Sequence, residues 1–193
     1  FILSQNAEIT LEANPDDFTK LKLKKYWLDG VNRISIGVQS FSENDLAQLG
    51  RRHNSQQAID SVVWASESGF ENISIDLIYG LPSSTNDVWK NNLRKSFELP
   101  VNHLSCYHLI YEEGTPLFKK LNQGEVRSVD EELSVQQFEI LQKEAEAYGF
   151  IHYEISNLAK EKFFSKHNTS YWQQVPYLGL GPSAHSYNGF SRE

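Results

Sequence analysis

Short runs rich in Ile, Leu, Val and Tyr recur along the chain, each divided from the next by a stretch with helical spacing. They are Glu8–Glu12, Arg33–Gln39, Asn72–Leu77, His103–His108 and Phe150–Ser156. β-branched and aromatic enrichment over lengths of this kind predicts strands. Strands that alternate with helices specify an α/β protein built on a parallel sheet, either open and doubly wound or part of a barrel. The intervening stretches carry start signals. Asn14-Pro15-Asp16 has a capping residue, a proline at the first helical position and an early acid. Ser42-Glu43-Asn44-Asp45 and Ser128-Val129-Asp130-Glu131 resemble capping boxes, the first with Asp in place of Glu or Gln. The longest helix is expected over Asp130–Tyr148, where Leu133, Phe138, Leu141, Ala145 and Tyr148 give one apolar face. Asp29-Gly30, Ser68-Gly69 and Tyr148-Gly149 read as helix stops.

Each predicted strand closes on a polar residue: Glu12, Gln39, Asp76 and His108, with Asn157 just past the last run. In β/α barrels and open α/β sheets, ligands bind at the C-terminal edge of the strands. The plain alternative is that strands stop where polarity starts; the recurrence favours a shared polar site, because carboxylates are seldom buried without a partner.

Composition narrows the function classes. Hydrophobic residues make up 39% of the 193, enough for a substantial core. A net charge of −7 argues against a nucleic-acid partner. No apolar run approaches the ~18 residues of a membrane span. Cys106 is the single cysteine, so neither an internal disulfide nor a cysteine metal cluster is possible. Methionine is absent, as expected of a piece that begins inside a longer gene product. The run Lys20-Leu21-Lys22-Leu23-Lys24-Lys25 reads as a solvated helix face.

Several ordered strings carry a family resemblance. They are Ile9-Thr10-Leu11-Glu12-Ala13-Asn14-Pro15, Gly30 through Phe41, Leu49-Gly50-Arg51-Arg52-His53 and Ile75-Asp76-Leu77-Ile78-Tyr79-Gly80-Leu81-Pro82. Together they resemble the oxygen-independent coproporphyrinogen III oxidase-like branch of the radical S-adenosylmethionine (SAM) enzymes. Tyr153-Glu154-Ile155-Ser156-Asn157, His167-Asn168-Thr169-Ser170-Tyr171-Trp172 and Tyr177 through Ser186 narrow this to the HemW-like haem-chaperone subgroup. The resemblance spans nearly the whole chain. It implies a partial (β/α) barrel, with about four barrel strands and outer helices over residues 1–149. A following strand and the HNxxYW segment occupy residues 150–193. The family's CxxxCxxC loop, which ligates a [4Fe–4S] cluster, and its glycine-rich SAM turn have no counterpart here.

The resemblance assigns SAM contacts to Glu12, Gln39, Arg51, Asp76 and Ile110. A strand-end carboxylate suits ribose hydroxyls or the amino group of SAM. The Gln39 amide both donates and accepts. Arginine meets the methionine carboxylate, and the resemblance selects Arg51 where chemistry alone leaves Arg51 and Arg52 equivalent. Ile110 corresponds to a position beside the adenine. Without the resemblance, Arg51 and Arg52 read as a solvated pair, and Asp76 as a strand-end cap. The HNxxYW string points to haem: His167 as an axial ligand, Tyr171 and Trp172 as flat surfaces for a porphyrin face. The structural alternative is a loop with Trp172 buried and His167 hydrogen-bonded. His185 and His108 are weaker candidates.

Three functions remain open at this point. One is a haem chaperone that binds haem and passes it to an acceptor protein. Another is an oxidoreductase that decarboxylates coproporphyrinogen III to protoporphyrinogen IX. The third is a barrel piece with no activity of its own. An open sheet edge invites pairing, so the expectation is either a dimer through that edge or further parts of the protein that cover it. Cytoplasmic localisation is expected from the lack of disulfides and of a targeting segment.

Overall fold

A computed structural model describes residues 4–193. The chain divides into two compact units, one ending at Phe163 and the other Phe164–Glu193. The expected boundary at 149/150 falls ahead of this division.

The larger unit is an open six-stranded sheet in the order β1-β2-β3-β4-β6-β5. β1 (Thr10–Ala13), β2 (Arg33–Gln39), β3 (Asn72–Tyr79) and β4 (His103–His108) run parallel. β6 (Asn157–Ala159) pairs antiparallel with β4, and β5 (Ile151–His152) antiparallel with β6. Of the fifth strand read from the sequence, Phe150–Ser156, only β5 is a strand, and β6 lies just beyond it. The turn at 153–156 separates the two, and Asn157 opens β6 rather than trailing β5.

Successive strand residues point to opposite faces. Ile34, Ile36 and Val38 of β2, Ile73, Ile75 and Leu77 of β3, and Leu104 and Cys106 of β4 form one buried apolar face. The helices pack on that face. α1 (Lys20–Leu28) lies beside α3 (Ser55–Ser68), and α4 (Asn86–Glu98) beside α6 (Glu131–Ala147). Leu23, Ala58, Val62, Ala65, Trp89, Leu93, Leu141 and Ala145 join the same core. Trp89 has no orphaned donor, because its Nε1–H reaches the Gln137 carbonyl at 2.8 Å. α2 (Glu43–Gln48) and α5 (Pro116–Asn122) are short additions.

Two helix starts differ from expectation. Asn14-Pro15-Asp16 begins only a 3₁₀ turn over Pro15–Asp17; α1 starts later, capped by Thr19 Oγ1, which accepts from Lys22 N–H. Ser42 does cap α2, but Asp45 turns its carboxylate into the protein instead of back onto the cap. α6 matches its expected span within a residue at each end. Asp130 is its cap, and Tyr148, just beyond it, stacks on Phe97 at 4.4 Å.

The smaller unit holds α7 (Lys166–Trp172) and isolated β-bridges Tyr177↔Tyr187 and Tyr187↔Arg192. Its rings form a row: His167 edge-on to Tyr171 at 4.6 Å, Tyr171 edge-on to Tyr177 at 4.7 Å, and Tyr177 tilted to Tyr187 at 6.1 Å.

Ile75 is wholly enclosed between sheet and helices, whereas Leu21 is 82% exposed. Ile75→Ala is expected to destabilise the larger unit by about 2–5 kcal/mol in urea unfolding. Leu21→Ala is expected to stay within about 0.5 kcal/mol. Equal effects would contradict this placement of the core.

Candidate functional site at the C-terminal edge of the parallel strands

The second face of the sheet is polar in every parallel strand. Glu12↔Ser35, Ser35↔Ser74 and Ser74↔His103 are register partners, so these four side chains form one row. Asp76↔Ser105 and Ser105↔Asn157 form the next row toward the C-terminal edge. Ser35, Ser74, His103, Ser105 and Asn157 are buried. Buried polar groups persist only with partners, and most of these have them. Ser35 Oγ donates to Asp76 Oδ1 at 3.3 Å. His103 Nδ1 lies 2.7 Å from Ser74 Oγ, and its Nε2 lies 2.7 Å from the Tyr153 hydroxyl. Burial, reinforced by the Arg33 charge, pulls His103 down to about 3, so its imidazole is neutral at ordinary pH.

Asp76 is the most perturbed acid on this face. Burial pushes its carboxyl up to about 6; hydrogen bonding from Ser105 opposes this, and the Glu12 charge adds to the rise. The Ser35 hydroxyl and Arg33 guanidinium pull the other way. Glu12 itself is exposed at the end of β1. Two carboxyl groups, one open to solvent and one buried with its pKa raised to about 6, thus share this face.

A second cluster forms where β1 and β2 end. Arg51 Nη1 donates to Asn14 Oδ1 at 3.1 Å. A Cβ on Gly37 would lie 2.9 Å from Gln39 Nε2 and 3.5 Å from Asn14 Oδ1, so with glycine here the Gln39 amide lies close over the strand without having to shift. Arg52 points elsewhere, 2.9 Å from Asp16 and 3.6 Å from Asp17, with its side chain 73% exposed. The ambiguity between the two arginines is thereby separated in space: Arg51 lies with the strand-end amides, Arg52 in a surface ion pair.

The remaining candidates are spread out. Ile110 follows β4 and is 73% exposed. His108 Nε2 lies 3.0 Å from Ser134 Oγ of α6, and its ring packs 5.4 Å from Tyr79. His167, Tyr171 and Trp172 sit on α7 of the smaller unit with exposed side chains, Trp172 at 57%. Trp172 is not the buried anchor of the structural alternative. His185 is exposed. Reading strand ends alone missed Ser35, Ser74, His103 and Ser105. Their signal was present as polar residues at every second position within otherwise apolar strands.

Against known proteins, the model of the radical SAM superfamily matches residues 2–95. The heme chaperone HemW of Bacillus subtilis is 40% identical over 189 residues, 98% of this chain and 50% of that protein. The first half of the chain is thus a radical SAM domain. HemW of Mycobacterium tuberculosis strain H37Rv is 32% identical over 192 residues, covering 49% of that protein. The mitochondrial radical S-adenosyl methionine domain-containing protein 1 of Danio rerio is 38% identical over 183 residues, covering 41% of it. The chain therefore spans about half the length of the curated relatives it matches. Among solved structures, the coproporphyrinogen III oxidase HemN of Escherichia coli superposes with a TM-score of 0.78 at 22% identity, over 95% of this chain and 45% of that one. This likeness establishes the fold: a mixed α/β, parallel-rich sheet of the radical SAM barrel type, here not closed.

Radical SAM membership implies SAM and a [4Fe–4S] cluster. The polar edge suits SAM. Arg51, the Gln39 amide and the Glu12 carboxylate offer charged and neutral hydrogen-bonding groups of both kinds. The cluster does not fit these residues. Cys106 is the lone thiol, buried in β4, and burial raises its pKa far above the usual thiol range. Among the described residues, no group of His, Cys, Asp or Glu is arranged to hold a metal ion. Nor, among them, is any helix long and apolar enough to cross a membrane.

The Asp76 environment generates a pH prediction. Its folded pKa, about 6, exceeds the ordinary 3.8, so the folded state holds the proton more tightly. The contribution of Asp76 to stability is then fullest below about pH 4 and is lost as pH rises from there through about 6, by about 1–3 kcal/mol. Asp76→Asn is expected to flatten this slope in urea unfolding measured across the range. An unchanged slope would assign the titration to another group.

Proposed function

We propose that the chain is a piece of a HemW-like radical SAM haem chaperone. In this reading Glu12, Gln39, Arg51, Asp76 and Ile110 hold SAM at the C-terminal edge of the parallel strands, and α7 handles haem. The observation that carries the haem assignment is the exposed His167 on α7, edge-on to Tyr171 and followed by the exposed Trp172. It lies in a chain that aligns with HemW over 98% of its length. Imidazole is a common axial ligand of haem iron, and flat rings pack on porphyrin faces.

The chain's own groups have separable tasks. The Arg51 guanidinium matches a carboxylate and the Glu12 carboxylate matches hydroxyl or ammonium groups, which fixes the direction in which SAM lies. Gln39 supplies a donor and an acceptor to a heterocycle or sugar. SAM bound at a reduced [4Fe–4S] cluster supplies radical chemistry in this superfamily, and the cluster would be held by residues beyond these 193. The outer edge of β1 has no strand partner among the described residues. Another strand, from the rest of the protein or from a second copy, is the expected neighbour. An acceptor protein would receive the haem, and the working compartment is the cytoplasm.

The deciding experiment uses the full-length protein that contains this chain. Haem titration is followed by absorbance for the parent and for His167→Ala, and coproporphyrinogen III decarboxylation is assayed anaerobically in the same preparation. Haem binding without decarboxylation, weakened about tenfold or more by His167→Ala, is the expected result. Formation of protoporphyrinogen IX would overturn the chaperone reading in favour of the oxidase.

A further inference from the structure

The turn that leaves β2 is held in an unusual backbone shape by groups lying behind it. Gln39 has a φ of 66°, in the left-handed region that a non-glycine residue seldom adopts, and the β2–β3 register shifts between Ile36 and Gln39. Such a conformation costs on the order of 1–3 kcal/mol and persists where the surroundings over-determine it.

Those surroundings form a closed polar network centred on Ser40, which is fully buried. Ser40 Oγ donates to Asp45 Oδ2 at 2.7 Å and accepts from Asn92 Nδ2 at 2.9 Å and from Ser42 N–H at 3.0 Å. Asn92 Oδ1 accepts from Phe41 N–H at 3.0 Å. Asn92 of α4 and Asp45 of α2 are each only 1% exposed. Ser83, in the loop after β3, donates to Gln48 Oε1 at 2.8 Å and lies 3.5 Å from Asp45 Oδ1. On the preceding side, the Val38 carbonyl meets His53 Nε2 at 3.0 Å and Ser40 N–H at 2.8 Å. The residues on both sides of Gln39 are thus tied to separate helices and loops, while its own side chain lies over Gly37 near Asn14.

We propose that Asn92, acting through Ser40 and the Phe41 amide, is a positioning residue that sets the Gln39 side chain for the adenosyl ligand. The inference rests on the reading of Gln39 as a SAM contact. Asn92 does not touch the ligand. It satisfies one hydroxyl and one backbone amide and so locks the turn that carries the contacting residue. Its helix is anchored independently, because Trp89 and Leu93 of α4 are buried in the main core.

The test is anaerobic calorimetry of SAM binding to the full-length protein, with Gln39→Ala, Asn92→Ala and the double variant. Each single substitution is expected to weaken SAM binding about tenfold, since a misplaced contact loses most of its hydrogen bonding. The double variant is expected to bind no more weakly than Gln39→Ala alone, because a residue acting through another shows no separate loss. Ser40→Ala removes a single oxygen and reads the same link if Asn92→Ala fails to fold. Additive losses in the double variant would make Asn92 a general structural residue and overturn the proposal. So would full binding by Asn92→Ala or Ser40→Ala beside a weakened Gln39→Ala. Full binding by Gln39→Ala would instead remove Gln39 from the SAM site, and with it the premise of the inference.

Discussion

Polar side chains buried on one face of a sheet must find partners without help from water. That requirement organises the inner face of β1–β4. Ser35 meets Asp76, and Ser74 meets His103, whose other nitrogen faces Tyr153. Serines are small enough to let neighbouring strands carry larger groups in the same row. The aliphatic side chains at alternate positions hold the opposite face against the helices, so the polar groups step through the sheet at fixed two-residue intervals. The same burial keeps His103 neutral and raises the pKa of Asp76.

At the C-terminal edge this regular arrangement gives way to specific local solutions. β2 ends in a left-handed residue instead of running on as a strand, and Gly37 leaves room for the folded-back amide. Arg51 reaches Asn14 while its neighbour Arg52 pairs with acids outside. Backbone strain held by a buried network is a frequent property of ligand-contacting turns. Contacts presented from such turns, on a rigid sheet, hold their geometry better than contacts on free loops. The fold shared with HemN supplies the scaffold, and the stronger sequence likeness to HemW directs attention to the exposed His167 helix.

Much of this organisation was legible beforehand. β2 and β4 lie at their expected bounds, because unbroken apolar alternation between turn signals leaves little freedom. Asp76 was expected to close its strand, but β3 runs on to Tyr79, because Leu77, Ile78 and Tyr79 continue the pairing with β4. The misreadings share a cause. Asn14-Pro15-Asp16 has the chemistry of a helix start but opens a single 3₁₀ turn, since the apolar periodicity that sustains a helix starts later. Asp45 has the spacing of a capping acid, yet Ser40 and the burial of α2 draw it inward. The fifth apolar run keeps only the two residues of β5 before a turn, and β6 forms just beyond it, because antiparallel pairing with β4 is available there.

The sequence by itself determined the α/β class, the polar positions toward the C-terminal parts of the strands and, through the order of its strings, the likeness to the radical SAM superfamily. These are properties of neighbouring residues, periodicity and motif order, and they do not depend on distant contacts. Only the tertiary structure decided which partners Arg51 and Arg52 meet, which serines meet which acids, and that Asn92 reaches Ser40 from another helix. Such pairings join residues dozens of positions apart. They follow from how helices seat on the sheet, and packing geometry of that kind leaves no local trace in the chain.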